Sequence, residues 1–286
     1  MSARRPSQTG FTLIELVITL VISAIVVAFV SSFITGPVTG FMDQGRRARL
    51  VDAADTALRR IGRDVRRALP NSVRTTSSGG AVALEMLSTV DGARYRAGPP
   101  GTADQILDFA AADAQFNVIG PFTQVAKPFS STTHYLAVYN VGVPGADAYS
   151  PASVMTPANT SITIAADGNE DRVTLGAPHR FPYGSPTQRV YLVDGPVTYL
   201  CNPLAGTLMR YSGYSIATNQ SALDSHGELL AAGAAASLMA NQIDGCSFTY
   251  TPGTAERGGL VSLRFTVTAQ GETVSLVSQV HVDNAP

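Results

Sequence analysis

The hydrophobic pattern divides the chain into an unbroken apolar block, a helical stripe and a long series of alternating runs. From Leu16 to Ile34 nineteen consecutive residues carry no charge. At 1.5 Å rise per residue this is about the length that crosses a ~30 Å hydrocarbon core. Valine and isoleucine dominate the block, and in a short run they would favour a strand. Nineteen residues is too long for one, so length predicts a membrane helix. Glu15 stands at the front of the block. A carboxylate inside a membrane costs ~2.5–3.5 kcal/mol at the helix centre, less near an end, and generally has a partner there.

Past the block, Gly36-Pro37 and then Gly40 interrupt the pattern and predict a kink. A helix resumes, with Val51, Ala54, Leu58, Ile61, Val65 and Ala68 at three- and four-residue steps. Charged residues cover its other faces, Asp55 and Arg59 form an i,i+4 pair, and Pro70-Asn71 ends it. Thereafter short alternating runs lie between turn signals. Strands are expected at 81–87, 135–141, 188–193, 196–200, 207–211, 246–251, 260–268 and 273–282. Val261, Leu263, Phe265 and Val267 alternate with polar residues, and Gln270-Gly271 turns that strand back on the next. Glu228–Asn241, rich in alanine and leucine, reads as a short helix. Loops are expected around 88–103, 142–160 and 176–187, as tip-facing surfaces or as flexible connectors. The fold class is therefore α+β, a long N-terminal helix packed on a large antiparallel β-rich domain.

Composition sharpens this picture. Residues 71–286 number 216, enough for one sizeable core. Between Phe41 and Leu69 eight arginines stand against four aspartates, a net charge of +4, while the chain from Pro70 onward carries −6. A nucleic-acid partner would need a broader basic field. The arginines read either as a solvated face or as a docking surface for acidic partner subunits or lipid headgroups. Asp167, Asn169 and Asp171 offer oxygens at alternate positions. Arg172 and Pro178 stand where a calcium loop would need glycine and glutamate, so a polar turn is expected and a metal only weakly. His134, His179, His226 and His281 are scattered, and no nucleophile elbow, Walker loop or zinc helix motif occurs. Neither an enzyme nor a cofactor is expected.

The apolar block leaves three readings. A secretory signal needs a shorter core, ~7–15 residues, with a small-residue cleavage site after it. A plain anchor leaves Glu15 unexplained. The run Gly10-Phe11-Thr12-Leu13-Ile14-Glu15 resembles the class III signal of type IV pilins and type II secretion pseudopilins. The resemblance implies a basic leader, residues 1–10 with Arg4 and Arg5, cut by prepilin peptidase between Gly10 and Phe11, and methylation of the new Phe11 amine. It also implies that Glu15 neutralises the Phe11 amine of a neighbouring subunit, which fixes how far one helix slides past the next. Glycine lets a peptidase approach the backbone closely, and paired charges are tolerated at low dielectric where single ones are not. Charge counting does not orient the segment, because Arg46, Arg47 and Arg49 follow it. The resemblance places the leader in the cytoplasm. Many major pilins have a proline where this chain has Ser32.

On this reading residues 11–35 form the transmembrane helix, 36–70 its exported half and 71–286 the exported domain. Cys201 and Cys246, with 44 residues between them, most simply pair there, the alternative being two buried thiols. The run Arg59–Arg74, and more weakly Gln279–Asn284, resembles the O-type biogenesis proteins of mannose-sensitive-haemagglutinin (MSHA) pili. The chain is also similar to J-type pseudopilins and W-type minor pilins. These likenesses imply a minor pilin of the bacterial inner membrane and the fibre, in a priming or tip complex. Its partners would be the peptidase, other minor and major pilins, the inner-membrane assembly platform and membrane lipid. A tip adhesin and a type II secretion pseudopilin are the alternatives.

Overall fold

A computed structural model describes residues 10–150, 154–253 and 258–282. The leader up to Thr9, with Arg4 and Arg5, and the closing Asp283 and Asn284 lie outside the described residues. The chain forms two compact units, Met1–Arg49 and Leu50–Pro286. One helix, α1 (Leu13–Arg66), runs through the boundary and is a single element across Gly36-Pro37.

In the first unit α1 is apolar on every side from Leu16 to Phe33. Residues 13–33 have a mean hydropathy of 2.9, and each residue from Gly10 to Phe33 is exposed. No stripe faces a core here, as expected of a helix whose solvent is lipid.

The second unit begins where α1 becomes amphipathic. Leu50, Ala54, Ala57, Leu58, Ile61 and Val65 are buried, while Arg59, Arg60, Arg63, Arg66 and Arg67 are exposed. The predicted stripe holds from Ala54 to Val65, with Val51 only half-buried and Ala68 buried just past the helix end, and it is widened by Leu50 and Ala57. The strands are β1 (Arg74–Ser78), β2 (Ala81–Tyr95), β3 (Asp113–Ile119), β4 (Phe129–Ser131), β5 (Tyr135–Ala137), β6 (Ile162–Asp167) and β7 (Glu170–His179). There follow β8 (Arg189–Asn202), β9 (Thr207–Ser212), α2 (His226–Ala231), β10 (Ala235–Asn241), β11 (Ile243–Thr251), β12 (Gly259–Ala269) and β13 (Glu272–Val282). Ten strands form one antiparallel sheet in the order β10-β9-β8-β2-β3-β7-β6-β4, with β1 on β2 and β5 on β8. The order β11-β12-β13 makes a second sheet. The stripe of α1 packs against both: Leu84, Met86, Tyr199 and Leu208 of the first, Val261, Leu263, Phe265 and Val280 of the second.

Several expectations change. The two strands at 188–193 and 196–200 are one, β8. Its Asp194-Gly195 step is a bulge opposite β2, with Gly195 at φ +132°. The loop at 88–103 begins only after Tyr95, because β2 continues along β8, and the loop at 176–187 begins after His179. The helix at 228–241 stops after its first turns. Ser225 and Glu228 cap its start reciprocally, Gly233 at φ +81° ends it, and Ala235–Asn241 pairs with β9. Edge pairing overrides the helix propensity of an alanine-rich run. Gln270 and Gly271, at φ 51° and 85°, form the two-residue turn in which both residues need positive φ.

Candidate functional site

Gly10, Phe11 and Thr12 precede the helix and are exposed. Nothing lies within 4 Å of the Cβ position of Gly10, and Phe11 is 81% exposed. The Gly10–Phe11 peptide is thus non-helical and open, as a bond must be to enter a protease cleft. Thr12 caps α1. Its carbonyl accepts from the Leu16 N–H at 3.2 Å and its hydroxyl accepts from the Glu15 N–H at 3.4 Å. The Glu15 carboxylate reaches back and accepts from the Thr12 N–H at 3.2 Å and hydroxyl at 2.9 Å. This reciprocal cap holds the carboxylate at the front edge of the apolar helix, beside the residues that flank the junction. The sequence carried the signal, a threonine three residues before a glutamate ahead of an apolar run, which the reading above does not use. Glu15 makes no ion pair among the described residues.

On the second half of α1, Arg59 pairs with Asp55 at 2.6 Å, as the spacing predicts. Asp64 turns inward and accepts from the Tyr199 hydroxyl at 2.7 Å and Arg210 Nε at 2.9 Å. Burial and then this carboxylate push the Tyr199 phenol up.

The calcium-like fragment is the turn of the β6–β7 hairpin, with Asp167 opposite Glu170. Asp167 and Glu170 share one donor, the Asn117 amide, but Asp171 has other partners. Asp167 accepts from Asn117 at 2.9 Å and pairs with Arg172 at 3.4 Å, whereas Asp171, 1% exposed, binds Lys127 at 2.7 Å and accepts from the Phe122 N–H at 2.6 Å. Asn117 and then Arg96 hold the Glu170 carboxyl below its usual range. Among the described residues no three His, Cys, Asp or Glu side chains gather as a metal site. The loop at 142–160 is pinned in its first part. Asn140 donates to the Pro70 carbonyl at 2.6 Å and accepts from the Ala148 N–H at 2.9 Å, and the Tyr149 hydroxyl donates to the Ser72 carbonyl at 2.8 Å.

Sequence reasoning missed a buried polar cluster. Glu85, fully buried, pairs with Arg74 at 2.6 Å, and the Arg74 guanidinium lies 3.6 Å from the centre of the Tyr149 ring. The Thr198 and Tyr214 hydroxyls face the same carboxylate at 3.4 Å. Burial pushes Glu85 up, with Arg74 opposing. No periodic signal marks it, because a strand glutamate reads as surface until its partner is known. Cys201 on β8 and Cys246 on β11 form a disulfide, Cα atoms 6.5 Å apart.

Residues 5–31 match the family of the prokaryotic N-terminal methylation motif. The match supports a type IV pilin-like protein. No curated protein and no solved structure matches the chain. The pilin-type motif belongs to structural rather than catalytic subunits, and the exposed apolar helix behind it fits membrane anchoring. A class III signal of this kind implies processing by prepilin peptidase and pilin partners in general.

Proposed function

We propose that the chain is a minor pilin or pseudopilin subunit for type IV pilus biogenesis, related to the O-type proteins of MSHA pili and acting in a priming or tip complex. The observation that carries this is the order of parts at the N-terminus. An open Gly10–Phe11 junction is followed by a capped carboxylate at Glu15 and then by an apolar helix exposed all round. Cleavage would free the Phe11 amine one helical turn before Glu15, so a neighbour's amine and this carboxylate neutralise one another as helices assemble. The leader is cytoplasmic and the unit from Leu50 is exported. It docks on other minor and major pilins and on the inner-membrane assembly platform, without catalysis, metal or nucleic acid. Its bulk favours the tip, since a shaft lattice repeats too tightly for so large a domain.

The test is N-terminal peptide mass spectrometry of membrane and sheared-fibre fractions, for wild type and Glu15→Val. The expected wild-type chain starts at N-methylated Phe11 and is found at low copy in fibres. The Glu15→Val chain is expected in membranes and missing from fibres. An uncut wild-type chain confined to membranes would reduce residues 1–35 to an anchor.

A further inference from the structure

β13 is an edge strand without the usual protection. It pairs with β12 from Ala269–Glu272 to Gly259–Val282 with no register shift. The two-residue turn makes Ala269 and Glu272 a hydrogen-bonded pair. By alternation, the backbone groups of Thr273, Ser275, Val277, Gln279 and His281 point away from β12. No strand lies beyond β13 among the described residues. Natural edges are blunted by lysine, proline, charge or bulges. Thr273–Val282 contains no lysine, proline or carboxylate, and Val277 is 68% exposed. The other edges differ: β10 carries a bulge between Leu238 and Ala240, β4 is only three residues long, and β11 is tied to β8 by the disulfide.

A groove of 590 Å³ runs between this strand and α1. Its floor is apolar, from Leu58, Leu276 and Val280, and Gly62 keeps it open, since a Cβ there would sit 3.4 Å from Val280. Its wall is basic. Asp55 neutralises Arg59, but Arg63 and Arg66 make no ion pair among the described residues. A strand added to β13 would turn every second side chain toward the α1 face of the sheet, where the groove lies.

We propose that β13 and this groove dock an extended acidic segment of a partner protein, which adds a strand to the sheet and sets carboxylates against Arg63 and Arg66. Main-chain hydrogen bonds give such a contact its affinity and side-chain pockets its specificity. A second copy is disfavoured by charge, because β13 paired with β13 about a two-fold axis would bring two arginine walls to the same seam.

The probe is a synthetic eleven-residue peptide, the length of β13, with threonine alternating with glutamate and valine, and a control with lysine for glutamate. Binding to the full chain in detergent micelles is read by fluorescence anisotropy and amide exchange, whether or not the chain enters fibres. The acidic peptide is expected to bind and to slow exchange at Ser275, Val277 and Gln279. Arg63→Glu with Arg66→Glu should weaken it about tenfold or more, as expected for loss of charge complementarity. Val277→Pro removes only an outward N–H and should abolish binding without lowering the unfolding temperature. No binding, equal binding of the lysine peptide, or binding without slowed exchange on β13 would overturn the proposal. Peptide-free protection of β13 that grows with protein concentration would also overturn it and assign the edge to a second copy.

Discussion

At the residue scale, two carboxylates are placed by opposite means. Glu15 is held at an exposed helix start by the Thr12 N–H and hydroxyl. Glu85 is buried beneath Arg74, Tyr149, Thr198 and Tyr214. Burial raises its pKa, so the folded state binds the proton more tightly than the unfolded chain does. Stability linked to Glu85 is therefore present in full below the unfolded value of 4.5 and is lost as pH rises through the higher folded one. Urea titrations should show wild type gaining stability relative to Glu85→Gln as pH falls from neutrality toward 4.5. A relative loss would mean that Arg74 outweighs burial. Of these two residues only Glu15 stood out in the sequence, because it interrupts an apolar run. Glu85 interrupts only a short apolar run, Ala-Val-Ala-Leu-Glu-Met-Leu, and its burial depends on an arginine eleven positions away in the neighbouring strand.

At the element scale, α1 changes solvent along its length. Its first half has no preferred face, and its second half presents one stripe to two sheets. The periodicity of that stripe was legible because it depends on helix geometry alone. Ile61, fully buried among residues of both sheets, is where the stripe carries most, so Ile61→Ala should cost about 2–5 kcal/mol in denaturant unfolding of the full chain. Arg63→Ala, two positions on and exposed, should stay within about 0.5 kcal/mol. Equal effects would mean that the helix does not dock as described. Where pairing rather than periodicity decides, the sequence misleads. Ala235–Asn241 has helical composition yet becomes a strand because β9 offers an open edge. β3 and β7 went unrecognised because each holds charged residues, Asp113 in one and Asp171 and Arg172 in the other, whose partners lie on neighbouring strands and loops.

At the scale of the whole unit from Leu50, the two sheets are joined by several contacts, among them the Ile243 N–H of β11 donating to the Gly206 carbonyl in the β8–β9 turn at 3.1 Å. The α1 stripe covers both, and the disulfide links β8 of the larger to β11 of the smaller. The pairing of two cysteines was open to sequence reasoning through compartment and count. That it would join separate sheets was not, since neither sheet's membership is written in local pattern. Cys201 is fully buried, against Leu84 and Leu208 within the core shared with α1, while Cys246 is half-buried at the sheet's border. Closing a sequence separation of 45 should stabilise the unit by roughly 3–4 kcal/mol in the chain-entropy model. Reductant should lower the unfolding free energy of wild type in denaturant titrations by that amount, and Cys201→Ser with Cys246→Ser should start at the reduced value and not respond. Because the bridge crosses between sheets, the loss should also be local. Amide exchange should quicken first in β11–β13, which then stay attached through the α1 stripe, the shared core and the Ile243–Gly206 backbone hydrogen bond, and later in the ten-stranded sheet. Uniform quickening across both sheets would show that the shared core couples them into one cooperative unit without the disulfide.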